Sequence, residues 1–133
     1  MLLNKLSTNE KEAFVSLVVK AAEANDEITI EEYNLVEEYC KEMGLIFFDS
    51  KKLLSMDKVI EVIKSSTGEI KRIISLELIG MLYVDGEFDQ KESDFLYSFV
   101  DAIGIERDVI EEQIYLINKY MELLNDIKQN VEG

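Results

Sequence analysis

Four carboxylates fall within eight residues at Asp85, Glu87, Asp89 and Glu92, in the run Val84-Asp85-Gly86-Glu87-Phe88-Asp89-Gln90-Lys91-Glu92. A second acidic run, Ala24-Asn25-Asp26-Glu27-Ile28-Thr29-Ile30-Glu31-Glu32, offers Asp26 and Glu32. Each reads as a short acidic loop between two helices, with a glutamate in the first turn of the second. Hard oxygen ligands beside a helix N-terminus suit calcium or magnesium, not softer metals. Asp85, Glu87, Asp89 and Glu92 are therefore the stronger candidate cation ligands, and Asp26 with Glu32 the weaker set. Neither loop is an EF-hand: counting from Asp85, position 12 is Leu96 where a bidentate glutamate is required. The same residues also support a purely structural reading. Thr29 with Glu32 and Asp89 with Glu92 form capping boxes, worth on the order of 1 kcal/mol each. Acidic groups there complement the helix dipole, and Gly86 suits a turn with positive φ. Both readings stand on sequence alone.

Composition narrows the remaining chemistry. The 133 residues include no histidine, and Cys40 is the only cysteine. Ser-His-Asp and Cys-His catalysis, histidine-ligated zinc and all-cysteine metal sites are thereby excluded. Cys40 lies on an apolar stripe and reads as a buried structural thiol. Paired carboxylates can act as acid and base, but no nucleophile, phosphate loop or histidine accompanies them, so a non-enzymatic protein is expected. Fourteen basic against 28 acidic residues give a net charge of −14. Such a chain repels nucleic acid and anionic membranes, and its natural counterparts are cations or a basic protein surface. No apolar run approaches a membrane span and no signal-peptide core is visible, so a cytoplasmic location is expected.

The elements that must position these carboxylates are helices. Apolar residues recur at three and four in Phe14, Leu17, Val18 and Ala21, and again in Leu35, Val36, Tyr39 and Met43. Three further stripes follow: Ile73 to Leu82, Phe95 to Ile103, and Ile110, Ile114, Ile117, Met121 and Leu124. Start signals are Ser7 with Glu10, Thr29 with Glu32, Asp49, Asp57, Ser66 with Glu69, and Asp89 with Glu92. The expectation is an all-α single-domain bundle of six or seven helices. The stretch 14–45 matches 74–105 at an offset of 60 residues, pairing Val18 with Leu78, Val36 with Leu96, Tyr39 with Phe99 and Gly44 with Gly104. Repeat 1 then covers about 8–45, linker helices 49–65, repeat 2 about 66–105 and a C-terminal helix 108–126, in a pseudo-two-fold pair. One such unit buries too little surface to be secure alone, so the two form one domain. Val18, Leu35, Val36, Tyr39, Leu78 and Leu82 are expected in one core with Leu96, Phe99 and Val100. Tyr33, Tyr97, Tyr115 and Tyr120 are placed at its edge, and Phe47-Phe48 between the repeats.

Two acidic helix-turn-helix units of this form resemble the tellurite resistance TerB-like family, whose motif is Ala-x-Ala-Asp-Gly-x-(Ile/Phe)-x-x-x-Glu. The second unit matches through Asp85-Gly86-Glu87-Phe88 and Glu92. The first keeps Glu32 but has Asn25 at the aspartate position and Asp26 at the glycine position. The resemblance covers about residues 10–125. It implies an all-helical fold, an acidic face that binds a divalent cation such as calcium or magnesium, and an accessory role in stress response. The alternative is a metal-independent module whose acidic face docks a basic partner. A homodimer is compatible with either.

Overall fold

The computed structural model describes residues 2–23, 30–44, 53–83 and 89–133, the side chain of Glu32 excepted. These residues are 85% helical and contain no strand. After a short 3-10 turn at Leu3–Lys5 come α1 (Thr8–Glu23), α2 (Ile30–Glu42), α3 (Met56–Lys64), α4 (Gly68–Leu82), α5 (Gln90–Ile103) and α6 (Arg107–Glu132). Among the described residues the helices number six. The first of the two expected linker helices fails at Leu53, Leu54 and Ser55, which are not helical. Asp49 and Phe47-Phe48 lie outside the described residues. The last helix runs to Glu132, past the expected Asp126.

Local chemistry explains where the helices begin. Ser7 and Glu10 form a reciprocal capping box: the Ser7 amide donates to Glu10 Oε1 at 2.8 Å, and the Glu10 amide to Ser7 Oγ at 3.4 Å. Asp89 caps α5, accepting the Glu92 amide at 2.8 Å. Two expected caps are displaced. Ser55, not Asp57, caps α3, leaving Asp57 in the first turn where its charge meets the helix dipole. Thr67, not Ser66, caps α4 by accepting the Ile70 amide. The Ser66 hydroxyl is instead committed to Glu10 Oε2, joining the starts of α1 and α4.

The core follows from the stripes. Among α1 residues, Ala13 to Val19 are buried without a break, the mark of a helix enclosed on every side. It packs on α2, α3, α4 and α5, while α4 packs on α1, α5 and α6. Of the expected core residues, Leu35 alone is only partly buried, lying against the cluster instead of within it. Phe14 and Tyr39 meet edge to face with ring centroids 5.2 Å apart. The 60-residue offset recurs in the helix bounds and in the pattern of burial. The bounds of α1 and α2 shift onto those of α4 and α5 within a residue or two. Val18, Val36, Tyr39 and Met43 are buried, and so are Leu78, Leu96, Phe99 and Ile103. Gly44 and Gly104 both take positive φ, 75° and 83°, where glycine alone avoids strain. Beyond α5, Arg107 returns to Asp101 at 2.8 Å and lies 5.0 Å over the Tyr97 ring, fixing the start of α6.

Candidate functional site

The acidic turns are described only in part. Asp26, Asp85 and Glu87 lie outside the described residues, and Glu32 is placed by its backbone in the first turn of α2. Asp89 and Glu92 are brought together on the first turn of α5, and their arrangement is structural. Asp89 is engaged through Oδ1 as the helix cap. Glu92 is withdrawn into the protein at 2% exposure. Among the described residues, no group of three or more acidic or cysteine side chains is arranged to hold a metal ion.

A groove opens elsewhere, between α2, α4 and α6. Its walls are Leu35, Leu76, Gly80, Ile117, Tyr120 and Met121, and its rim and floor carry Glu38, Tyr39, Glu42 and Glu77. Each helix contributes residues one turn apart: 35, 38, 39 and 42 from α2; 76, 77 and 80 from α4; 117, 120 and 121 from α6. Gly80 keeps the α4 wall low. The volume is about 270 Å³, under the roughly 300–1,000 Å³ of typical small-molecule sites. Tyr39 forms the floor, its hydroxyl donating to the Glu77 carbonyl at 3.1 Å. Burial pushes that phenol far above its ordinary range, and the charges of Glu77, Glu42 and Glu38 push it further. It therefore stays protonated and acts as a fixed donor. Glu77 is itself mostly buried and receives the Leu2 amide at 3.4 Å on Oε1. An apolar slot under a rim of glutamates favours a ligand with an apolar ridge and positive flanks.

Comparison with protein-family models, with curated proteins and with solved structures gives no match. The geometry alone therefore carries the functional reading. Cys40 is buried, and desolvation followed by the nearby Glu37 charge raises its thiol pKa, the opposite of an activated nucleophile. No helix among the described residues is long and apolar enough to cross a membrane.

Two features escape sequence reasoning. The groove joins three helices distant in the chain, and no local signal announces it. The outer half of α6 is the second. Met121 and Leu124 continue the stripe of Ile110 and Ile117, yet both are exposed, as are Tyr115 and Tyr120. Tyr33 is exposed as well, so the expected edge-of-core position holds only for the half-buried Tyr97. Periodicity identified the apolar face of α6 but not how far along it the body extends.

Proposed function

We propose that this protein is a non-enzymatic interaction module of the TerB-like kind that docks a basic, amphipathic helix of a partner protein in the α2–α4–α6 groove. The observation carrying this reading is the apolar slot of Leu35, Leu76, Ile117 and Met121 beneath the Glu38 and Glu42 carboxylates. Helix-in-groove recognition places apolar anchors at i, i+3, i+4 and i+7 into such a slot. The charge of −14 draws basic partners and speeds their encounter. A helical peptide with leucines at those four positions and lysines between them is the probe. Fluorescence anisotropy is expected to show saturable binding that weakens with salt. Glu38→Gln with Glu42→Gln flattens the salt dependence, and Met121→Lys abolishes binding with the helical circular dichroism intact. Equal binding by all three proteins contradicts the reading.

Divalent-cation binding at the second acidic turn is the other reading, resting on the four carboxylates Asp85, Glu87, Asp89 and Glu92 within eight residues. Crowded carboxylates repel, and a cation relieves the repulsion. Millimolar calcium or magnesium then raises thermal stability, by roughly 2.7 kcal/mol at about 100 times the dissociation constant. The gain disappears in Asp85→Asn with Asp89→Asn, which keeps a competent cap at 89. Sodium chloride of matched ionic strength controls for screening. An equal gain in wild type and variant refutes specific binding at this turn.

A further inference from the structure

The outer half of α6 presents a second apolar surface beside the groove. Leu116, Tyr120, Leu123 and Ile127 follow one another at spacings of four, three and four, the a/d alternation of a coiled-coil seam. On a 100° helical wheel they span about 60° of arc, and Leu124 and Val131 widen it on one side. The exposures are 58% at Leu123, 53% at Ile127 and 79% at Val131. A seam of this length left in water marks an interaction site.

We infer that a second copy of this chain covers the seam, with the two α6 helices packed antiparallel about a two-fold axis beside residues 121 and 122. Charge selects this occupant. Over residues 116–131, Lys119 and Lys128 balance Glu122 and Asp126. This stretch is therefore neutral on a chain of net charge −14, so the repulsion between two identical acidic molecules is least where they meet here. A basic partner is drawn instead to the glutamate-rimmed groove. The seam pairs with itself in antiparallel register: Tyr120 stands opposite the partner's Leu123, and Leu116 opposite the partner's Ile127. A two-fold of this kind sets like flanks side by side with their directions reversed. The flank bearing Lys119 and Asp126 then meets its own copy, each lysine beside the other chain's aspartate. The Lys119 ammonium already leans toward the helix N-terminus, 5.2 Å over the Tyr115 ring. The register sets the partner's Asp126 level with residue 117, two residues or about 3 Å of helix rise from Lys119. The opposite flank carries the exposed Leu124, so one edge is charged and the other apolar. Register and charge agree.

Sedimentation equilibrium of the full chain at about 100 µM tests the inference. Wild type is expected at twice the 15.3 kDa chain mass. Leu123→Glu with Ile127→Glu is expected at the single-chain mass, with its circular dichroism and melting temperature showing that the fold survives. Lys119→Asp weakens association about tenfold by setting aspartate against aspartate twice. Lys119→Asp with Asp126→Lys restores it, which a merely structural role for either residue does not predict. A monomeric wild type overturns the inference. So does a dimer indifferent to the Leu123 and Ile127 changes, or a basic peptide found by NMR to occupy the seam. Tyr120 lines both surfaces but none of the tested positions lines the groove, so peptide binding to the Leu123→Glu, Ile127→Glu chain tests the docking proposal apart from self-association.

Discussion

Phe99 is 2% exposed and stands 60 residues after Tyr39, which is buried likewise. Phe99→Ala removes a ring from the shared core and leaves a cavity, so a loss of about 3–5 kcal/mol in urea unfolding is expected. A near-neutral result contradicts its place in the core. Glu10 makes a pH-dependent contribution. Burial pushes its carboxyl pKa up, but hydrogen bonds from Ser66 and Ser7 outweigh this and hold it below the ordinary value. A pKa lower in the folded state than in the unfolded chain stabilises above the unfolded pKa, and that gain is lost as pH falls through the folded one. Glu10→Gln is therefore expected to be less stable than wild type near neutrality, with the difference shrinking below about pH 4.5. A constant difference across that range in chemical denaturation contradicts the assignment.

At the scale of the element, helix ends were legible where their chemistry is local. Ser7 with Glu10 and Asp89 with Glu92 each satisfy a terminus within a few residues, so sequence spacing finds them. At Gly104 φ is 83° with no heavy atom within 4 Å of an added Cβ. Gly104→Ala therefore carries only backbone strain and is expected to cost about 1–2 kcal/mol in thermal unfolding; a stabilised variant contradicts the left-handed cap. The displaced cap of α4 was not legible, because Ser66 and Thr67 are both competent caps. What decides between them is the contact of Ser66 with Glu10, 56 residues away. The α6 stripe fails for a related reason. Periodicity shows which face is apolar, while the body covers only as far as Ile117. The Asp89–Glu92 cap is likewise legible in the spacing, and the groove is not, since α2, α4 and α6 come together only through tertiary packing.

The whole molecule sets two charge environments beside one another. Around the groove, Glu38, Glu42 and Glu77 concentrate the negative potential of a −14 chain over an apolar slot. Along the outer half of α6 the charge cancels over an apolar seam. A basic helix is guided to the first surface and a second copy to the other. Tyr120 borders both, so docking and self-association are neighbours on one helix. Docking in the groove is open to a backbone-amide NMR titration of the ¹⁵N-labelled chain with the leucine–lysine helical peptide. Shifts concentrated in 35–42, 76–80 and 117–121 are expected. Shifts confined to the acidic turn at 84–92, or scattered over every acidic surface, contradict it.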